Sequence, residues 1–189
     1  MPTHVALLRG INLGGRNRVA MADLRSVVSE LGHADVSTYI QSGNVLFTTP
    51  LDADTSALAE AMTAAIATKL GVTAPVVVLS RGELAKVIAD NPYPSEPNPK
   101  CLHAVFRAAP AEPDLLRRIT EAVSLAVSKG SRDSVQSVGR TLYLHTPDGY
   151  GRSELAQALL RIVSSPKTSL TGTARNWATV TKLLSLCGE

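Results

Sequence analysis

The chain has 189 residues, of which 44% are hydrophobic and 19% are charged, and its formal net charge is +3. These proportions are typical of a folded globular protein and exclude an intrinsically disordered one. The sequence holds no apolar run of about 18 residues, the length that a membrane-spanning helix needs. The first residues, MPTHVALLRG, lack the basic start of a signal peptide, so we expect a cytoplasmic protein.

The first eighty residues predict the element order strand, helix, strand, strand, helix, strand. Strands are predicted from apolar and β-branched runs at residues 3–9, 35–41, 44–49 and 74–80, and helices from apolar residues at helical spacing at 21–32 and 56–71. Ser42-Gly43-Asn44 separates the second strand from the third, and its Gly-Asn pair predicts a two-residue hairpin turn. This element order is that of a ferredoxin-like α/β sandwich.

Residues 81–99 predict a short helix followed by a linker. Ser80 and Glu83 form an S-x-x-E capping box that opens the helix. The segment NPYPSEPNP, residues 91–99, contains four prolines, which neither a helix nor a central strand tolerates. We therefore predict a first half at residues 1–80 and a second half at residues 100–189.

The second half repeats the element order of the first. Strands are predicted at residues 101–109, 134–138 and 141–145 and within 168–174, and helices at 113–127 and 153–165. A final helix is predicted at residues 176–188, with Asn176 as its N-cap. The sequence thus predicts an α+β protein of two tandem ferredoxin-like (βαββαβ) sandwiches, an internal duplication with an extra C-terminal helix.

The loop RGINLGGRNRV, residues 9–19, contains three arginines, two asparagines, three glycines and no acid. Glycine-rich turns expose backbone N–H groups, and guanidinium groups bind oxyanions through paired hydrogen bonds. The loop therefore predicts an anion site that uses Arg9, Asn12, Arg16 and Asn17. The alternative, a surface loop whose arginines are merely solvated, stays open at this point.

Two nucleotide-binding motifs are excluded for this loop. Gly10, Gly15, Arg16 and Asn17 nearly match G-x-x-x-x-G-K-[ST], but lysine and the hydroxyl that holds Mg²⁺ are both missing. The helix that should follow at once begins only near Ala22, and the G-x-G-x-x-G spacing is absent. An ATPase-type loop and a dinucleotide fingerprint are therefore both rejected.

Polar side chains also cluster at a predicted turn and before two predicted helices: Gln41, Ser42 and Asn44, then Arg152 and Ser153, and finally Arg175. The hairpin residues are equally explained by turn chemistry, and Ser153 is explained by capping. A cation near a helix N-terminus is electrostatically unfavourable, so Arg152 and Arg175 favour a bound anion.

Four stretches, taken together, resemble one protein family: LLRGINLGGRNRVAM (7–21), TYIQSGNVLF (38–47), GRSEL (151–155) and TARNWATVTKLL (173–184). They resemble the domain of unknown function 1697 family over essentially the whole chain. The resemblance implies an α+β protein built from two ferredoxin-like halves, and it supplies no reaction. At one position the chain departs from the family, because Glu154 stands where the family often has lysine, and this weakens the case for an anion site there.

The pattern favours a binding protein for an anionic ligand, a phosphorylated small molecule or a nucleotide. The alternatives are a metal-independent enzyme acting on a phosphate-bearing substrate, with Arg9 and Arg175 stabilising charge, and a structural protein that oligomerises through its sheet faces. No catalytic residue is assigned, because no serine is tied by a motif to a histidine or an aspartate. The seven aromatic residues disfavour RNA binding, and we expect no membrane partner. The oligomeric state is left open.

The cysteines and histidines do not form a metal-binding pattern. Cys101 and Cys187 lie outside any CxxC motif, so we expect two reduced thiols. The four histidines have no HxH or HxxxH spacing; they are His4, His33, His103 and His145. The sequence therefore predicts neither a bound metal nor a cofactor.

Overall fold

The computed structural model describes residues 1–12, 17–164 and 172–188 of an α+β protein. The chain forms two compact units, residues 1–86 together with 181–189, and residues 87–180. The division into halves at residues 80 and 100 that the linker suggests stays a prediction. No helix within the described ranges is long and apolar enough to cross a membrane.

The first unit contains one antiparallel sheet in the order β2-β3-β1-β4. Its elements are β1 (His4–Leu8), α1 (Met21–Glu30), β2 (Ala34–Tyr39), β3 (Asn44–Thr48), α2 (Thr55–Leu70) and β4 (Val76–Ser80), followed by α3 (Arg81–Ala89). Helices α1 and α2 bury Leu24, Val28, Met62 and Ile66 in one core with the β1 residues Ala6 and Leu8. Burying side chains of this size contributes roughly 1.5–3 kcal/mol each, which is what fixes the two helices to the sheet.

The second unit contains a sheet with the corresponding order β6-β7-β5-β8, again antiparallel. Its elements are β5 (Leu102–Phe106), α4 (Pro113–Ser128), β6 (Ser134–Val138), β7 (Thr141–His145), a 3₁₀ turn (Tyr150–Arg152), α5 (Glu154–Ser164) and β8 (Thr173–Asn176). Helix α6 (Trp177–Leu186) follows directly. The core beneath α4 and α5 includes Leu115, Ile119, Leu155 and Leu159, packed with Val105 of the sheet.

Several local predictions are confirmed by hydrogen bonds. The capping box is formed, since the Glu83 N–H donates to Ser80 Oγ at 3.1 Å and the Ser80 N–H donates to Glu83 Oε2 at 2.9 Å. Asn176 caps α6, because its Oδ1 accepts the Thr179 N–H at 2.8 Å. Gly71 ends α2 in the left-handed conformation, with φ of 64°.

The predicted two-residue turn at Gly43 and Asn44 is wrong. Asn44 is the first residue of β3 and pairs with Tyr39, so residues 40–43 form a four-residue loop. Positive φ occurs at Ile40 (49°) and Gly43 (75°) instead of Asn44. The Asn44 side chain is fully buried and donates from Nδ2 to the Tyr39 carbonyl at 3.1 Å, which ties the first residue of β3 to the last residue of β2.

The closing strand lies later than predicted. It runs over Thr173–Asn176 and pairs with β5, and residues 168–171 of the predicted segment lie outside the described ranges. Burial alternates along this strand, since Thr173 and Arg175 are buried and Ala174 between them is only partly buried.

Candidate functional site

Three loops meet at one end of the first sheet. The Leu8 N–H donates to the Gly43 carbonyl at 2.8 Å, and the Arg9 N–H donates to the Pro75 carbonyl at 3.0 Å. Gly43 permits this approach, since a Cβ atom there would lie 2.8 Å from the Leu8 Cβ. We call residues 9–12, 17–19 and 40–43 the basic end of the first sheet.

Asn12 organises the basic end through its side chain. Its Oδ1 accepts the Val19 N–H at 2.9 Å, and its Nδ2 donates to the carbonyls of Val19 (3.0 Å) and Gln41 (3.1 Å). Its φ of 55° is in the left-handed region, which asparagine tolerates better than most residues. Asn12 is therefore committed to holding the opening loop against the β2–β3 loop, and it acts as a framework residue.

The other residues predicted in the opening loop differ in their roles. Asn17 also closes the loop, since its Nδ2 donates to the Gly10 carbonyl at 3.1 Å and its carbonyl accepts the Asn12 N–H at 3.0 Å. Arg16, which the sequence also predicts, lies outside the described residues. Arg9 is partly buried, and this burial lowers the pKa of its guanidinium. Arg18 is exposed.

The residues predicted around the hairpin lie beside this loop. The Gln41 side chain is exposed, and Ser42 is partly buried. Asn44 is fully buried and donates to the Tyr39 carbonyl and to Ser42 Oγ, each at 3.1 Å. Asn44 therefore fixes the loop from beneath, and Gln41 and Ser42 are the members placed nearer the surface.

The basic end contains no carboxylate. Residues 1–22, 36–51 and 71–82, which supply the loops and the strands beside them, include no aspartate or glutamate. The formally charged side chains of these three segments are all arginines, and Arg9 and Arg18 are among them. Such a local excess of positive charge attracts anions.

Arg152 and Ser153 lie in the second unit and have different surroundings. Ser153 is buried, donates from Oγ to Asp133 Oδ2 at 2.6 Å and accepts the Ala156 N–H at 2.8 Å, so it caps α5. Arg152 lines a neighbouring cavity of about 240 Å³. The ionisable residues around that cavity are Lys129 and Arg152 against Asp133, Asp148 and Glu154, a balance that does not favour an anion.

Arg175 lies on β8 and is buried, opposite Ala104 of β5. Its Nη1 donates to Thr173 Oγ1 and to the Ala174 carbonyl, both at 2.8 Å. Burial lowers the pKa of Arg175 to about 10. Nη1 thus contacts strand β8 itself, and Asn176 provides the cap of the helix that follows.

Sequence reasoning missed a carboxylate–imidazole pair in the second unit. Glu96 Oε2 lies 2.6 Å from His145 Nε2, and the His145 ring stacks on Tyr93 with centroids 4.9 Å apart. The pair borders a cavity of about 300 Å³ that the prolines of residues 92–96 help to line. No spacing rule finds it, because one partner belongs to the proline-rich segment and the other ends β7, 49 residues away.

No cluster of three or more metal-ligating side chains occurs within the described part of the chain. His4 is buried in the first sheet and His103 is partly buried in the second, and this burial lowers the pKa of both imidazoles, that of His103 to about 4. Each contacts one aromatic ring, His4 with Phe47 and His103 with Tyr150. Their environments favour neutral rings.

Comparison with known proteins identifies the family. The model for a protein of unknown function (DUF1697) matches residues 1–143. The chain belongs to this family. A solved structure, that of the conserved bacterial protein SP0830 from Streptococcus pneumoniae, is similar with a TM-score of 0.68 at 22% identity, covering 98% of each chain. That likeness shows a shared fold, and the curated proteins include no match to the chain.

Proposed function

We propose that this DUF1697 protein binds an anionic ligand at the basic end of the first sheet. The observation that carries the proposal is the joining of the two loops by Asn12, which brings the segment after β1 against residues 40–43. Arg9 belongs to the first of these segments and Gln41 and Ser42 belong to the second, and neither segment contains an acidic residue. Guanidinium and amide donors in an acid-free region are the groups that recognise oxyanions.

The backbone of this region supports the proposal. Gly10, Asn12, Asn17, Ile40 and Gly43 all have positive φ. Ile40 is the notable member, because a β-branched residue rarely adopts φ of 49° and its side chain is 51% exposed. Strain of this kind costs of order 1–3 kcal/mol and clusters at ligand-binding loops.

The ligand class that fits is a phosphorylated small molecule or a nucleotide. Arg9 supplies the charge for a phosphoryl group, while Gln41 and Ser42 provide an amide and a hydroxyl for a polar part of the same ligand. Asn12, Asn17 and Asn44 act as the framework that holds these groups in place. Ser153, as the α5 cap, and Arg152, beside an acidic cavity, are left out of this site.

We further infer that each half is ferredoxin-like and that the halves arose by duplication. The strand register of the two sheets supports this inference. In the first sheet His4 pairs with Phe47 on one side and Ser80 on the other. In the second sheet His103 pairs in the same way with Leu144 and Asn176. Ser80 and Asn176 each cap the helix that follows. On this alignment α6 corresponds to α3, so the predicted extra C-terminal helix has an equivalent in the first half.

Thermal unfolding with a ligand panel tests the proposed function. Phosphate, pyrophosphate, sugar phosphates and nucleotides are added at constant ionic strength to the wild type, to Arg9→Ala and to Arg161→Ala. Arg161 is an exposed arginine of α5, so its variant controls for the loss of one charge. A ligand at about 100 times its dissociation constant adds about 2.7 kcal/mol to stability.

We expect a phosphorylated compound to raise the melting temperature of the wild type and of Arg161→Ala by several degrees, and not that of Arg9→Ala. A panel without any response, or an equal response in all three proteins, contradicts the proposal.

A further inference from the structure

Arg107 occupies in the second sheet the position that Leu8 occupies in the first. Leu7 pairs with Asn44, the first residue of β3, and the next N–H, that of Leu8, donates to the Gly43 carbonyl. In the second sheet Phe106 pairs with Thr141, the first residue of β7, and the Arg107 N–H donates to the Arg140 carbonyl at 3.1 Å. The two residues are therefore equivalent in strand register.

The two side chains have the same burial and opposite chemistry. Leu8 is 1% exposed and belongs to the hydrophobic core of the first unit, whereas Arg107 is 2% exposed. Arg107 Nε and Nη1 are buried and have no hydrogen-bond partner. These two nitrogens carry three of the five N–H bonds of a guanidinium group.

A buried charge without hydrogen bonds is unfavourable. Burial lowers the pKa of Arg107, and the carboxylate of Glu112 opposes that shift through space. No side-chain acceptor among the described residues bonds to Nε or Nη1, so Glu112 compensates the charge at a distance only. Such a group is less favourable than the leucine found at the equivalent position, unless an acceptor reaches its donors.

The surroundings of Arg107 suit an anion as that acceptor. Helix α4 begins at Pro113, and its N-cap, Glu112, makes no side-chain capping bond, so the helix presents an uncapped, partially positive end. Arg140, in the turn between β6 and β7, reaches the same segment by donating from Nη1 to the Ala108 carbonyl at 3.3 Å. The acids in this part are Glu112 and Asp114, and Asp114 is paired with Arg117 at 2.6 Å.

We propose that Arg107 anchors a second oxyanion site, for one phosphate group, between the end of β5 and the start of α4. The site lies wholly within the second unit and shares no residue with the basic end of the first sheet. Entry of the anion involves a rotation of the Arg107 side chain, because its orphaned nitrogens are buried in the ligand-free protein. One phosphate group satisfies several of its donors at once.

The test uses inorganic phosphate and two substitutions, Arg107→Leu and Arg107→Lys. In phosphate-free buffer we expect Arg107→Leu to melt at the same temperature as the wild type or higher, because leucine is what packs at the equivalent position. We expect phosphate to raise the melting temperature of the wild type through both proposed sites. Arg9→Ala retains the part of this rise that comes from the Arg107 site, and Arg107→Leu loses that part. We expect the affinity of the Arg107 site for phosphate to be at least tenfold lower in Arg107→Leu than in the wild type.

A spectroscopic reading on the wild type makes the result independent of how the variants fold. The Arg107 Nε–H resonance is assigned as the signal absent from the Arg107→Lys spectrum and is followed during a phosphate titration. We expect a saturable shift that persists in Arg9→Ala, which separates this site from the one in the first unit. A resonance that does not move during the titration overturns the proposal. A large loss of stability in phosphate-free Arg107→Leu also overturns it, since Arg107 then has a structural role in which internal water satisfies its donors.

Discussion

Gly43 lies directly against Leu8, and a Cβ atom on Gly43 would come within 2.8 Å of the Leu8 Cβ and 3.1 Å of the Ile11 side chain. The contact joins the β2–β3 loop to the end of β1, where the opening loop begins. The positive φ of Gly43, 75°, adds a second reason for glycine at this position. The basic end of the first sheet depends on this close approach.

Gly43→Ala is therefore expected to destabilise the protein by roughly 2–4 kcal/mol, from left-handed strain together with overpacking. Gly139→Ala is the matched control, because Gly139 has φ of 55° with open space around its Cβ position. Denaturant unfolding of both variants separates the two contributions. Equal losses of stability would mean that the contact with Leu8 contributes nothing.

Asn12→Ala is expected to lower stability by roughly 1–3 kcal/mol, because three hydrogen bonds to Val19 and Gln41 are lost. The substitution leaves the charge of the basic end unchanged, yet we expect it to abolish the response to phosphorylated ligands by releasing one loop from the other. Asn17→Ala, which removes one side-chain bond to Gly10, is the milder control. Ligand response that survives in Asn12→Ala would show that this framework is not needed for binding.

The position of the opening-loop motif could be predicted from the sequence, but the separate roles of its residues could not. Composition alone identifies an acid-free loop, and the β-rich runs identify the hairpin beside it. Which asparagines become framework residues depends on left-handed backbone at Asn12 and on burial at Asn44, and both arise only when the loops meet.

The burial of Arg107 and Arg175 could not be predicted from the sequence either. Arg107 and Arg175 stand in or next to short strands, where a shift of one residue exchanges the two faces of the sheet. Their burial follows from register, which apolar periodicity does not fix at strand ends. The capping residues Ser80 and Asn176 were predictable because a cap depends only on local spacing.

The pairing of Glu96 with His145 predicts a pH dependence of stability in acid. The hydrogen bond from His145, followed by that from the Asn98 N–H, lowers the pKa of Glu96 below its usual 4.5. The stabilisation is thus complete above pH 4.5 and is lost as the pH falls through the native pKa. In Glu96→Gln we expect a flatter stability profile below pH 4.5 than in the wild type or in a variant of the exposed Glu60.

If Glu96→Gln and the wild type lose stability in parallel below pH 4.5, the pair does not hold the proline-rich segment. Hydrogen exchange at residues 95–100 gives the local reading. We expect faster exchange there in Glu96→Gln, since that segment is where Glu96 also accepts the Asn98 N–H at 2.8 Å.

His103 predicts a second pH effect at higher pH. Burial lowers its pKa from 6.5 to about 4, so between these values the unfolded chain binds a proton that the folded protein does not. Stability therefore falls as the pH drops from 6.5 towards 4, by at most about 1.4 kcal/mol per pH unit from this group. His103→Phe keeps an aromatic ring stacked on Tyr150 and should remove this slope from urea-unfolding curves recorded across the range. An unchanged slope in the variant would assign the effect to another group.

The central claim is that an anion binds at the basic end of the first sheet, and amide chemical-shift mapping with pyrophosphate at constant ionic strength tests it most directly. We predict saturable shifts concentrated at Gly10, Asn12, Gln41 and Ser42, retained in Arg161→Ala and lost in Arg9→Ala. Shifts confined to other segments, or an unchanged spectrum at millimolar pyrophosphate, would contradict the claim.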